Sequence, residues 1–194
     1  MIKKTLLATF TMTALVSSFA VYAADGTTGG DFGGGTINFT GSVTEAPCSI
    51  QPGDDNQEIN LGQVSQKLLA SAGGKGSSII PITIRLQSCD LSTTNGATAF
   101  TKANVIFTGA GIDSANTQKG YLVNSGTATN VSVQLTSLSG AAMDLSNGTP
   151  VVTLSPGDGN TIQFGAHIVN SATSGTTVTP GSVKATVTYK LKYS

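Results

Sequence analysis

The chain has 194 residues, with ten Lys or Arg against ten Asp or Glu, one histidine, two cysteines and no tryptophan. A balanced charge without a basic cluster gives no electrostatic footprint for nucleic acid or an anionic lipid surface. Only 10% of residues are charged while 39% are hydrophobic, the reverse of a disordered chain, and the abundance of Val and Thr points to a folded all-β protein.

The first segment, "MIKKTLLATFTMTALVSSFAVYA", has two lysines, an apolar run, and small residues at Val21 and Ala23. This reads as a secretory signal peptide over residues 1–23, of the kind that directs bacterial export. Its apolar stretch is too short for a retained membrane span. About 171 residues would follow a cut after Ala23, enough for one domain with a substantial core. Next comes a Gly-rich tether, residues 24–36, which reaches roughly 40 Å when extended. The alternation Ile37, Phe39, Gly41 and Val43 follows it. Residues 24–43 are therefore expected to form an N-terminal extension running into a first strand, and residues 44–194 the domain.

Strand signals with turn residues between them occupy the rest of the chain, at residues 37–50, 58–64, 79–87, 104–108, 121–123, 131–135, 151–154, 161–169 and 182–193. Asn95-Gly96, Asn147-Gly148, Pro156-Gly157 and Pro180-Gly181 are among the turn signals between them. Many short strands so punctuated indicate a β-sandwich or barrel. The sole helical candidate, residues 65–72, reads as a loop or one short turn. In "IIPITIRLQSC", Ile80, Ile82, Ile84 and Leu86 share one face, opposite Pro81, Thr83, Arg85 and Gln87, so this is a half-buried antiparallel strand. Pro81 lacks a ladder donor and belongs at a sheet edge or at the start of the strand.

Cys48 and Cys89, in an exported chain, are most simply one disulfide. Closing a loop of about 42 residues stabilises by roughly 4 kcal/mol in the chain-entropy picture. Zinc is excluded by ligand count, since there is one histidine and no C-x-x-C pair.

Catalytic constellations fail on inspection. His167, in "IQFGAHIVN", falls opposite the apolar face of Ile162, Phe164, Ala166 and Ile168, on an outer surface. No G-x-S-x-G elbow is present. "SAGGKGSS" lacks the Gly-Lys-Ser/Thr order of a phosphate loop, and "PGDDNQE" and "PGDGN" lack calcium-loop spacing and read as polar turns. Asn38, Asn130 and Asn147 lie in formal N-x-S/T sequons, which carry little meaning in a bacterial product.

The final segment, "PGSVKATVTYKLKYS", alternates Val183, Ala185, Val187, Tyr189, Leu191 and Tyr193 against polar residues. At about 3.3 Å per residue it spans roughly 40 Å. A strand so long and regular pairs on both sides or leaves an edge open to another chain.

Four features together resemble the fimbrial pilins of the chaperone-usher pathway, and in particular type 1-like major subunits. They are "GGGTINFTGSVTEAPCSI", the second cysteine in "IRLQSC", Gly181 at the fourteenth position from the end, and the penultimate Tyr193. The likeness covers the chain beyond the signal peptide, with residues 92–159 generic. The resemblance implies an incomplete immunoglobulin-like β-sandwich that lacks its last strand and is completed by a donor strand from a neighbouring subunit. Ile37, Phe39, Gly41 and Val43 would be the donor residues, glycine allowing close backbone approach. Gly181, Val183, Val187, Tyr189, Leu191 and Tyr193 would border the acceptor groove. A periplasmic chaperone would fill that groove first and hold the carboxylate of Ser194, and an outer-membrane usher would oversee exchange for the next subunit's extension.

The implied partners are identical or related pilins joined head to tail, the chaperone and the usher, with no cofactor, nucleic acid or small-molecule substrate. The implied destination is a fimbria at the cell surface. A minor or tip subunit, or a single-domain carbohydrate-binding adhesin, is the alternative. One domain and an absence of tryptophan give a sugar-binding surface little support, and an extracellular hydrolase lacks a catalytic set.

Overall fold

The computed structural model describes residues 33–70, 76–92, 99–172 and 177–194. The segment read as a signal peptide, residues 24–32 of the expected tether, Lys75 and the expected Asn95-Gly96 turn lie outside them. The chain divides into two units, Met1–Val43 and Thr44–Ser194. In the first, residues 33–43 form neither helix nor strand, and the side chains of Ile37, Phe39 and Val43 are 77%, 90% and 101% exposed.

The second unit is built on two antiparallel sheets. Its strands are β1 (Ser49–Ile50), β2 (Ile80–Gln87), β3 (Lys102–Thr108), β4 (Tyr121–Leu122), β5 (Val131–Thr136), β6 (Val152–Thr153), β7 (Asn160–Asn170) and β8 (Thr188–Tyr193). One sheet has the order β1-β2-β7-β5-β4 and the other β6-β3-β8. The long central pairing sets Ile84 opposite Ile162 and Ile82 opposite Phe164, so each strand turns its alternating apolar residues to the same side. Ile84, Leu86, Val105 and Ile162 are almost wholly buried between the sheets. This is a two-layer sandwich, one of the two architectures that the alternating segments indicate, and the immunoglobulin-like one that the resemblance implies.

Cys48 and Cys89 are disulfide-bonded. The bridge lies immediately before β1 and two residues after β2, the two strands that pair, so it reinforces a ladder of only two residue pairs. Pro81 is the second residue of β2, along the stretch that β1 does not reach. The short helix α1 (Gln66–Ala70) buries Leu69 in a second cluster with Ala128, Val131, Ile168 and Val178.

Three expected strands are shorter than their alternation suggests. Residues 37–50 pair only at Ser49–Ile50. Residues 58–64 join neither sheet. The C-terminal ladder covers only Thr188–Tyr193, because the preceding residues turn their backbone groups towards another segment. Ser182 O accepts from Ala128 N at 3.0 Å and Lys184 O from Ser125 N at 2.8 Å.

His167 departs from its expected open surface position. It is half-buried, Nδ1 lying 3.1 Å from Ser77 O and Nε2 2.8 Å from Gln134 Oε1. Ser77 is carried over this face by hydrogen bonds with the backbone of Ile168, so both ring nitrogens have structural partners.

Candidate functional site

Between residues 54–66 and residues 178–189 the sandwich opens into a groove of about 1760 Å³. Its floor is the core itself: Ile84, Phe107, Val133, Leu135, Phe164 and Ile168, drawn from both sheets. All six are nearly inaccessible, and the apolar side chains left partly open along the groove include Ile82, Val183, Ala185 and Val187.

Neither wall is paired with the other. On one side, among the described residues, Gln57–Val64 takes part in no backbone–backbone hydrogen bond. On the other, Ser182 and Lys184 direct their backbone groups outwards: Ser182 N donates to Thr127 Oγ1 at 2.9 Å and Lys184 N to Asn124 Oδ1 at 2.9 Å. In an extended chain successive residues alternate, so Val183 and Ala185 aim theirs the opposite way, where no group among the described residues receives them. Among the described residues, no backbone hydrogen bond joins 57–64 to 180–187. The groove thus runs between two segments that do not pair with each other.

The walls are tied at both ends. At one, Gln66 Nε2 donates to Val178 O at 2.6 Å. At the other, the Tyr189 hydroxyl donates to Asp54 O at 2.7 Å. Asp54 is itself fastened to β2, its carboxylate accepting from Arg85 N at 2.8 Å, Nε at 2.9 Å and a terminal nitrogen at 2.7 Å. The hydrogen bond from the Arg85 side chain holds the Asp54 carboxyl below its ordinary value, against the opposing effect of burial. Burial, with smaller contributions from the charges of Asp55 and Asp54, pushes the Tyr189 hydroxyl up to about 12. Tyr189 is therefore a neutral donor at physiological pH.

Of the residues expected at an acceptor groove, Gly181, Val183, Val187 and Tyr189 line it, together with Ala185. Leu191 and Tyr193 lie past the Tyr189 tie, opposite Val105 and Ala103 of β3, and pack against the main core. A terminal oxygen of Ser194 accepts from the amides of Thr101 and Lys102 at 3.0 and 2.9 Å. Gly181 has a steric reason to be glycine, since a Cβ there would run into the backbone of Ala128 and Thr127. Gly41, by contrast, has open space about it, so nothing within this chain requires a glycine there.

The opposite wall and its fastenings were not foreseen. Asp54 stands in a segment that reads as a polar turn, yet it is buried and ion-paired. The signal was Arg85, the sole charge on an otherwise apolar and polar-neutral strand. Among the described residues, no group of three or more His, Cys, Asp or Glu is placed to hold a metal ion.

The profile of the family described as "Fimbrial protein" matches residues 37–194. The chain is 36% identical over 191 residues to a "Fimbrial subunit type 1" of Klebsiella pneumoniae, covering 96% of this chain and 97% of that one. It is 38% identical over 182 residues to a "Type-1 fimbrial protein, A chain" of Escherichia coli K12, covering 92% and 91%. Among solved structures it is similar to the P pilus rod subunit PapA, with a TM-score of 0.61 and 25% identity over 77% of this chain and all of that one. It is also similar to a subunit of a chaperone-usher pilus, with a TM-score of 0.66 and 28% identity over 84% and 96%. A family profile that matches the whole grooved domain, with relatives alike from end to end, makes this chain a member of the fimbrial protein family.

Proposed function

We propose that the protein is a structural subunit of a bacterial fimbria, exported through the periplasm to the cell surface, and that the segment Ile37–Val43 of one copy fills the groove of the next. The observation that carries this reading is the groove itself, an apolar floor between two walls that, among the described residues, share no backbone hydrogen bond with each other. A strand laid between them would cover the floor with alternate side chains and hydrogen-bond to both walls, which is β-augmentation. Donor-strand complementation of pilins is a known form of it.

The occupant is argued from the same chain, which carries an exposed alternating segment with Ile37, Phe39 and Val43 on one side and Gly41 between them. The names of its relatives, type 1 fimbrial subunits and a pilus rod subunit, support a shaft role. Because the donated segment and the groove are different surfaces, the contact is head to tail and extends into a filament. A periplasmic chaperone would occupy the groove before assembly, and an outer-membrane usher would be the place of exchange. Val183, Val187 and Tyr189 are the groove residues either strand would meet.

Deletion of residues 25–43 tests the reading. The truncated subunit is expected to be recovered with its chaperone but to be missing from fibres, which run as a heat-dissociable ladder on a denaturing gel. A normal ladder built from the deletion variant would overturn the assignment of the donor.

A further inference from the structure

Away from the groove, the outer face of the larger sheet carries a row of hydrogen bonds that crosses several segments. Tyr121 of β4 stands opposite Gln134 of β5, and Gln134 opposite His167 of β7. On the far side of β7, residues 76–79 form a strap that leads into β2. Ser77 fastens it: its amide donates to Ile168 O at 2.8 Å, and its hydroxyl accepts from Ile168 N at 2.9 Å. The strap lies hard against the imidazole, since a Cβ on Gly76 would come within 2.6 Å of His167 Nδ1.

The donors and acceptors of this row do not balance on a neutral ring. Ser77 O, 3.1 Å from Nδ1, is a carbonyl and can only accept. Gln134 Oε1, 2.8 Å from Nε2, can also only accept. The Gln134 amide is not free to turn round, because its Nε2 donates to Lys119 O at 2.7 Å. A neutral imidazole has one N–H and one lone pair, so one of its two contacts would set a lone pair against an oxygen. The imidazolium, with two N–H groups, makes both.

The acceptors that call for the proton are neutral. Apart from the ring itself, β7, β5 and residues 76–79 carry no charged side chain. Arg85 of β2 stands opposite Thr161, six residues along β7 from the ring, and is paired with Asp54. On the β4 side the titratable groups are Lys119 and Tyr121, and the Lys119 ammonium lies over the Tyr121 ring, 5.8 Å from its centroid.

We propose that His167 is a proton-dependent fastener of this face, a pH-sensitive device built into the fold. Protonated, the ring ties β5 to the strap across β7; neutral, it gives up one of the two ties. An imidazole in an unfolded chain exchanges its proton around pH 6.5. The folded chain gains from that proton at two contacts, so the added stability is complete below this pH and is lost as the pH rises past it. His167 is the one histidine of the chain, and both cysteines are disulfide-bonded. Carboxylates ordinarily titrate below about pH 5, and Lys, Arg and Tyr above about pH 9, so a change in stability between those limits reports on this ring.

Urea unfolding of the full chain at about pH 5.5 and about pH 7.5, either side of the imidazole range, is the test. The unaltered chain is expected to unfold at lower urea at the higher pH, with an unfolding constant roughly fivefold larger, the worth of about one hydrogen bond. His167→Gln is expected to remove the difference. Gln134→Ala keeps the histidine but takes away one acceptor, so a neutral ring then meets its remaining partner, and the difference is expected to shrink. Should the variants fold poorly, amide exchange in the unaltered chain serves: protection at Ser77 and Ile168 should fall between the two pH values, relative to that at Ile84 and Ile162. Equal midpoints in the unaltered chain, an undiminished difference in either variant, or unchanged relative protection at Ser77 and Ile168 would overturn the proposal.

Discussion

Phe107 and Phe164 meet edge to face beneath the groove, one from each sheet, with ring centroids 5.3 Å apart and planes inclined at 77°. Both are nearly inaccessible, and both form part of the groove floor. The residues that hold the sheets together therefore also lie beneath the groove. Phe164→Ala is expected to cost about 3–5 kcal/mol through lost burial and a cavity. A double-mutant cycle with Phe107 should isolate a coupling of about 0.5–1.5 kcal/mol. Urea unfolding of the single and double variants measures both, and additive losses would show that the ring contact contributes nothing of its own.

The Cys48–Cys89 bridge flanks one of the two shortest pairings in the larger sheet. Replacing both cysteines with alanine is expected to lower stability by about 2–4 kcal/mol, seen as a lower urea midpoint. The loss should appear first as exchange of the amides around Ser49 and Ile50, because that edge has little else to hold it.

How much of this was legible in the sequence depended on whether a segment's partner lies within the chain. Ile80, Ile82, Ile84 and Leu86 alternate and pair with β7, so the pattern and the ladder coincide. Residues 58–64 and 182–187 alternate too, yet they enter no ladder, because alternation records which face is apolar and not whether a neighbour is present. Those are the two walls of the groove. The shortfall between predicted strands and observed ladders thus falls on the site. The Asp54–Arg85 pair was hidden for another reason: the two are 31 residues apart, and nothing in a polar turn indicates that its carboxylate is buried.

Stability should depend on pH at both extremes, through the ties of Tyr189 to Asp54 and of Asp54 to Arg85. Asp54 is held below its ordinary value of 3.8 by Arg85, so its contribution is present above that value and is lost as the pH falls through the lower, folded one. Tyr189 is shifted the other way, from 10.0 to about 12. Its contribution is complete below pH 10 and disappears as the pH rises towards 12. Burial also raises Tyr193, which adds to the alkaline loss. Thermal unfolding followed across pH should show both flanks. Tyr189→Phe is expected to shallow the alkaline flank without abolishing it, and Asp54→Asn the acid one; an alkaline flank unchanged in Tyr189→Phe would contradict the assignment.

The C-terminal wall is placed by close contact with two glycines. A Cβ on Gly111 would strike the carbonyl of Thr186, and one on Gly126 the carbonyl of Ser182. Rigid backbone leaves no easy relief, so Gly111→Ala is expected to move the wall rather than the glycine's own loop. The expected result is weaker retention of the peptide of residues 33–43, together with a lower melting temperature. Gly157→Ala is the control for a fold-wide effect: its Cβ meets nothing within 4 Å, although its φ of +86° adds local strain. It should lower stability without affecting peptide retention.

The donor side chains should contribute unequally. Phe39 is the largest apolar residue in the exposed segment and is 90% accessible in the chain by itself, so its transfer to the groove floor removes most of a phenyl ring from water. Full burial of such a side chain is worth about 1.5–3 kcal/mol. Phe39→Ala at each junction is therefore expected to cost about 2 kcal/mol, roughly a 30-fold faster dissociation of neighbouring subunits if the loss appears in the off-rate. Dissociation of fibres in denaturant, read as the decay of the ladder on a gel, measures it. Thr40→Ala, between Phe39 and Gly41 and on the opposite side of the alternation, should leave the ladder unchanged. A Thr40→Ala effect as large as that of Phe39→Ala would mean that the face assigned to the groove is wrong by one residue.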